Sequence, residues 1–465
     1  MSISANIVTV IVSQQQAPTP STLQQTGAFI SQGGTNTAPG TLSLLTQLAD
    51  LTPLLANGIN IATITWSGGT ATATLSTPHG LATSDTMYGT VTGATPSGYN
   101  VTNVLFTSTG PTTLTYPIAI NPGAPASIAG TFTNADVAEL TYMATTYFNQ
   151  GAIQTVYVLE IGEGSPADGI TYLQNWITLN PQFVYVWLIP KEWTTAPTYP
   201  SFVANYQAPN KMVYFVTTTS ASNYSAFSTL DKELVSVTPA PNVSSVEFTA
   251  AAWMYNMTKP RPSSTNQVLP LNYDFIFSTT PWPILNNAST LQTLLNNNVN
   301  YPYTGAEGGI TTGIIKGGTT MDGRDFQYWY ATDWAQITLK LNLSNAIING
   351  SNNPVNPLYF DQNGINRLAQ VVASTMSSGS TFGLVLFPPK LLGLDGPILD
   401  QVLDANTYVG FTIINAVPFI NYVQENPGDY KAGIYKGLSV IFVPKRGFDN
   451  IQINLVVSDF PGNTA

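Results

Sequence analysis

The run Phe183-Val184-Tyr185-Val186-Trp187-Leu188-Ile189 offers no polar side to water, whichever alternate set of side chains is taken. A strand with one wet face alternates apolar with polar residues, whereas a strand covered on both faces is apolar throughout, as in parallel sheets flanked by helices. At seven residues it is strand-sized and far short of the roughly 20 that cross a membrane as a helix. Similar runs lie at residues 155–161 and 211–217, and a stretch of helical character, 170–179, separates the first pair. Strands of this kind alternating with helices predict a largely parallel, covered sheet.

Outward from this centre, Asp136 and Glu139 form a capping-box-like pair before a stripe of Val137, Leu140, Ala144 and Tyr147, which predicts a helix. A further amphipathic helix is expected over residues 245–257. The strongest helical signal lies between Arg324 and Gly350. There Phe326, Tyr330, Trp334, Ile337, Leu341 and Ile348 share one stripe and Gly350 occupies the expected C′ position. A shorter helix is predicted over 365–376. The C-terminal part reads as antiparallel strands, 438–443 and then a last strand in which Ile451, Ile453, Leu455 and Val457 alternate with Gln452, Asn454, Val456 and Ser458.

Towards the N-terminus, Gly27-Ala28-Phe29-Ile30-Ser31 reads as a strand, and Leu42, Leu45, Leu48 and Leu51 predict a helix after it. Residues 61–132 differ sharply, with short Thr-rich segments divided by Gly and Pro turns, which predicts an all-β domain inserted into another fold. Before residue 23, an apolar segment holding Ile7, Val8, Val10, Ile11 and Val12 is followed by Gln14-Gln15-Gln16 and the Pro18–Pro20 stretch. Such a strand needs a partner sheet, either as an edge of its own domain or by addition to a neighbour. The expected fold class is α+β and multi-domain. It comprises an arm (1–22), a first part of the core (23–59), the inserted β-domain (60–134), a central α/β domain (135–350) and a C-terminal core domain with a terminal strand arm (351–465). No 20–50-residue repeat is visible.

Charged residues make up only 8% of the 465, against roughly 25% in an ordinary soluble domain. Lys and Arg total 14 and Asp and Glu 24, for a net charge of −10, and the first basic residue is Lys191. So few scattered cations in an acidic chain exclude the electrostatic footprint of a nucleic-acid binder. With no Cys, disulfides, thiolate nucleophiles and Cys-based metal sites are excluded. The first residues lack the basic region of a secretory signal. A surface this poor in charge is weakly protected against self-association, which suits a surface covered by copies of itself. It equally suits a secreted carbohydrate-active or adhesive β-protein.

Catalytic equipment is scarce. The single imidazole, His79, sits in a Pro-His-Gly turn and is expected to satisfy turn hydrogen bonds rather than to shuttle protons. The glycine-rich segment 308–318 fails as a P-loop, because Ile314 rather than Lys follows Gly313, and reads as a loop or hairpin. Asp322, Asp325 and Asp333 are the carboxylates that composition cannot dismiss, although acids near a helix N-terminus are also favoured by its dipole. No calcium-loop pattern is present. The expectation is no catalytic, cofactor or metal site. Four of the 14 basic residues, Lys431, Lys436, Lys445 and Arg446, fall in the last 35 positions, as a partner-facing patch or as solubilising charge at strand ends.

Two stretches resemble known families. The segment Asp429-Tyr430-Lys431-Ala432-Gly433-Ile434-Tyr435, with Gly437-Leu438-Ser439 and Pro444-Lys445-Arg446-Gly447-Phe448 after it, resembles the end of contractile tail sheath proteins of myophages, in a divergent branch. The N-terminal strand and residues 27–31 fit the same family. The insert resembles a small β-module of phage and surface proteins, marked by Thr77-Pro78-His79-Gly80-Leu81, Asp85, Gly93, Gly98-Tyr99-Asn100 and Thr113-Leu114-Thr115-Tyr116, with Ser84 where that module has Gly. The sheath resemblance implies a mixed α/β core formed by N- and C-terminal parts of the chain. It also implies self-assembly as stacked hexameric rings around a tail tube, with baseplate and tail terminator proteins as further partners. Terminal arms (Ile7, Val8, Val10, Val12; Ile451, Ile453, Leu455, Val457) would exchange strands between subunits, and contraction would drive the tube through the host envelope. The implied location is the virion, after assembly in the host cytoplasm, without membrane insertion or nucleic-acid contact. The alternatives are another virion component, such as a baseplate or receptor-binding protein, and a secreted carbohydrate-active enzyme using the paired carboxylates.

Overall fold

A computed structural model describes residues 22–151, 154–162, 164–208, 211–237, 247–282, 288–304 and 311–448. The first strand, β1 (Gly27–Ser31), is buried at all five positions and stands in the middle of a six-stranded sheet. The chain then runs to the far edge as β2 (Leu42–Leu45) before leaving the sheet. Leu42, Leu45, Leu48 and Leu51 are therefore not a helix. The first two belong to β2 and the last two to a 3-10 turn over Leu48–Leu54 that contains Pro53. A spacing of three satisfies a 3-10 turn as well as an α-helix.

The excursion is a closed barrel of β3 (Ile59–Ser67), β4 (Thr70–Leu75), β5 (Thr86–Thr92), β6 (Val101–Gly110), β7 (Thr113–Pro117) and β8 (Thr131–Asn134), in the order β3-β4-β7-β6-β5-β8. Alternate residues such as Ala71, Ala73 and Leu75 point into a core with Phe106, Tyr116 and Phe132 at its centre. The motif residues of the insert are turn ties. His79 Nδ1 accepts from the Leu81 amide at 3.2 Å, which leaves Nε2–H to donate to the Gly110 carbonyl at 2.8 Å. Asn100 clasps the Ala94 amide and carbonyl, and the Tyr99 and Tyr116 hydroxyls donate to backbone carbonyls.

Back in the main fold, α1 (Ala135–Phe148) is capped by Asn134, whose side chain accepts from the Asp136 amide, rather than by the Asp136–Glu139 pair. Strands and helices then alternate: β9 (Val156–Glu160), α2 (Pro166–Leu179), β10 (Val186–Leu188), α3 (Thr198–Ala204), β11 (Tyr214–Thr219), β12 (Glu233–Val237) and α4 (Thr249–Thr258). The strand order is β12-β11-β10-β1-β9-β2, parallel except for β2. Side chains alternate between two cores. Phe29, Val158, Val186 and Val216 face α1 and α4, while Ile30, Leu159, Trp187 and Phe215 face α2 and α3. This double burial is what the apolar 183–189 run encodes. Helix α4 is buried at every one of its ten positions, so it is a core helix rather than the expected amphipathic one. Its Ala250-Ala251-Ala252 run brings backbone close to the sheet, and Gly27 leaves the room that Met254 fills.

A small antiparallel sheet, ordered β13-β15-β14, is made by β13 (Phe275–Ile276), β14 (Tyr301–Thr304) and β15 (Gly313–Lys316), with α5 (Ala288–Asn296) between the first two in sequence. The glycine-rich segment thus contributes a hairpin strand. Helix α6 (Phe326–Ser351) follows, 26 residues and about 39 Å long. Gly350 lies inside it, buried under Leu358, and is not its C′ residue. Helix α7 (Gln362–Thr381) packs along α6 and over a three-stranded sheet made by β16 (Pro389–Leu392), β17 (Thr412–Ala416) and β18 (Leu438–Ile441). Helices α8 (Gly396–Asp404), α9 (Phe419–Glu425) and α10 (Pro427–Ala432) fill its connections.

Ser84, where the resembling module carries Gly, has a φ of 78°. A Cβ in this left-handed region costs roughly 1–2 kcal/mol. Ser84→Gly is therefore expected to stabilise the barrel by about 1 kcal/mol. Gly130→Ala should destabilise it by about 2 kcal/mol or more, because Gly130 has φ 78° and a Cβ there would overlap the Thr92 carbonyl. Denaturant melts of the two variants beside the parent check both signs.

Candidate functional site

In doubly wound sheets, ligands bind beyond the carboxyl ends of the strands where the chain order reverses. Here the order reverses between β1 and β10, and that place and the adjoining end of β9 are filled by the protein itself. The Glu160 carboxylate, 2% exposed, accepts from the Ser31 hydroxyl (2.7 Å), the Gly33 and Thr35 amides (2.8 and 3.1 Å), the Thr35 hydroxyl (2.7 Å) and the Gly162 amide (2.7 Å). Gln32 closes the other side, accepting from the Trp193 indole N–H at 2.8 Å and donating to the Gly164 and Ser165 carbonyls.

The three candidate carboxylates do not converge. Asp322 accepts from the Thr320 hydroxyl and the Arg324 amide within its own turn. Asp325, at the N-cap of α6, accepts from Arg446 Nε at 2.9 Å. Asp333 is buried inside α6, 1% exposed, and accepts from the Tyr185 and Tyr214 hydroxyls, both at 2.9 Å. Lys232, also fully buried, donates to the Tyr214 hydroxyl at 3.1 Å and lies over the Tyr214 and Trp329 rings. This closed knot joins β10, β11 and the start of β12 to α6. Desolvation raises the Asp333 carboxyl to about 6, against the opposing pull of Lys232 and the two hydroxyls. Among the described residues, no group of three or more His, Asp or Glu side chains could hold a metal ion, and no helix is long and apolar enough to cross a membrane.

What the structure leaves exposed is apolar and strand-edged. In the C-terminal sheet β17 is central, so β16 and β18 are its edges among the described residues. Leu391 on β16, Ile441 on β18, and Val409, Phe411, Val443 and Phe448 near them are all more than two-fifths exposed. The sequence reading missed β16 and β17, although the buried Thr412–Ala416 strand, with Ile413 and Ile414 at its centre, carried a detectable signal.

The predicted terminal-arm residues Ile7, Val8, Val10, Val12, Ile451, Ile453, Leu455 and Val457 lie outside the described residues. The four basic residues stand in different local settings. Lys431 is exposed in the last turn of α10, Lys436 pairs with Asp429 at 3.0 Å, and Lys445 is half-buried with its amide bonded to the Leu384 carbonyl. Arg446 ties the C-terminal segment to the start of α6 through Asp325. The chain beyond residue 448 therefore continues from a point anchored beside Pro270 and Asn272.

Asp333 gives the fold a pH signature. A carboxyl whose folded pKa exceeds its unfolded value of about 3.9 holds its proton more tightly when folded. Stability from it is complete below pH ~4 and declines as pH rises through ~6. About two pKa units correspond to roughly 3 kcal/mol. Asp333→Asn is expected to flatten the fall in stability between pH 4 and 6 by up to that amount, read from denaturant midpoints across pH. An unchanged pH slope in the variant would refute the assignment.

No family profile and no curated protein matches this sequence. Solved structures do. The sheath tail protein of Listeria innocua is similar over 78% of this chain and 86% of its own, at 11% identity and a TM-score of 0.39. The contracted helical sheath of the anti-feeding prophage is similar over 97% of this chain and 99% of its own, at 9% identity and a TM-score of 0.50. At such identity the second likeness is one of fold, and it spans nearly the whole of both chains. The α+β, multi-domain architecture described here is therefore similar, as a fold, to that sheath protein.

Proposed function

We propose that this chain is a structural, non-enzymatic subunit of a contractile phage tail sheath. The observation that carries the proposal is the shared fold with a contractile helical sheath over 97% of the chain. The filled crevice at the sheet's carboxyl end supports it, as do the exposed apolar edges of the C-terminal sheet and the 8% charge, which suits wide contacts between copies.

In this reading, subunits stack as hexameric rings around a tail tube. Residues 1–22 and the strand after residue 450 are arms that join neighbouring sheets, where main-chain hydrogen bonds give affinity and alternate side chains give register. In this reading the edges of β16 and β18 accept them. Residues 23–59 and 351–465 contribute the core, 135–350 the central α/β domain, and 60–134 an outward decoration. Tube, baseplate and terminator proteins are the remaining partners. The particle is the virion tail, assembled in the host cytoplasm. Contraction draws on a metastable packing of subunits rather than on a bound nucleotide.

Electron microscopy of the purified protein tests the proposal directly, with rings or tubes as the expected result. Deleting residues 1–16, or truncating before Ile451, should leave the folded core intact by circular dichroism and abolish those assemblies. Monodisperse monomers of the intact chain at all concentrations and salt levels would overturn it.

A further inference from the structure

The stripe on α6 outruns the core that should cover it. Phe326, Tyr330, Trp334 and Ile337 are buried, but Leu341 and Ile348, further along the same stripe, are each 44% exposed. Where the stripe emerges there is a cleft of about 580 Å³, lined by Gln24, Gln25, Arg261, Trp334, Ile337 and Leu341. Its one cation makes no demand for an anion. Arg261 already donates to the Thr258, Lys259 and Pro260 carbonyls and to the Gln154 side chain. The cleft therefore calls for no charged occupant, and its amides and hydroxyls (Gln24, Gln25, Ser263, Asn266, Thr338) beside Trp334, Ile337 and Leu341 suit an uncharged segment that mixes apolar and small polar residues.

Such an occupant is tethered at its mouth. Residues 1–21 join the described chain at Thr22, two positions before Gln24, and carry no charged side chain. Residues 13–21 span at most about 30 Å when extended, and the seven steps from Leu341 to Ile348 cover only about 10 Å of helix. The whole exposed stripe is within reach of residues 3–12 of the same chain. A short tether gives an effective concentration in the millimolar range, well above that of a second copy in dilute solution.

We infer that in the unassembled subunit residues 3–12 dock into this cleft and along α6 of their own chain. The segment is thereby masked before assembly. The cleft offers it apolar contact but no open strand edge, so a neighbouring sheet that supplies main-chain hydrogen bonds outcompetes it. The docking itself does not depend on the sheath proposal.

Because the chain has no Cys, paired cysteines report the contact cleanly. At a concentration below assembly, Val10→Cys with Leu341→Cys should form an intramolecular disulfide about a hundredfold faster than Val10→Cys with Thr109→Cys on the barrel. The rate should not vary with protein concentration. Equal rates for the two pairs, or disulfides only between molecules, would overturn the inference. In a second arm, Leu341→Asp with Ile348→Asp, at exposed positions, should leave the melting curve unchanged and speed proteolysis within residues 1–16 several-fold, whereas unchanged proteolysis counts against docking. Polymers that form normally while both arms fail would remove the docking and leave the sheath reading standing.

Discussion

The Asp333 carboxylate, buried between two tyrosine hydroxyls and approached by Lys232, is the contact through which the two ends of the molecule are held in one geometry. Helix α6 is a single rod. Its first half lies in the core beneath the six-stranded sheet, and its second half carries α7 and the C-terminal sheet. Whatever sets the angle of the first half sets the position of the second. A hydrogen bond to a buried charge is directional, and a charge left unpaired in the interior is costly. The knot therefore specifies rotation and register along α6 in a way that the surrounding aromatic contacts, which tolerate sliding, do not.

The distribution of burial divides the molecule by purpose. The central sheet has both faces covered, and the end at which such sheets usually hold ligands is packed with its own side chains. The C-terminal sheet has two edges and apolar side chains facing water. Only four ion pairs occur among the described residues, and one of them, Arg446 with Asp325, pins the C-terminal segment rather than decorating a surface. Polar satisfaction in this protein is achieved mostly by hydroxyls and amides, in keeping with its composition.

Legibility in the sequence followed the physics. The strands at the centre were readable because burial on two faces leaves no polar position, and the first half of α6 because its large aromatic residues recur at helical spacing. The Leu42–Leu51 pattern misled because a strand followed by a 3-10 turn reproduces the same interval. Helix α4 was read as amphipathic because its small alanines conceal how closely it is packed. The knot was illegible for a different reason: Tyr185, Tyr214, Lys232 and Asp333 are spread over about 150 positions, and nothing local distinguishes a buried Asp from one capping a helix. The β16 edge escaped because four residues beginning with Pro give no period to count.

The barrel enters and leaves the core through adjacent strands, with Ile59 paired to Phe132. Its two ends are therefore about 5 Å apart, a gap that a tight turn could bridge as readily as a whole domain. Helix α1 does register the barrel, because its cap, Asn134, is the last residue of β8. The barrel is consequently exchangeable as a unit as far as that residue, without rebuilding the order of the six-stranded sheet beside it.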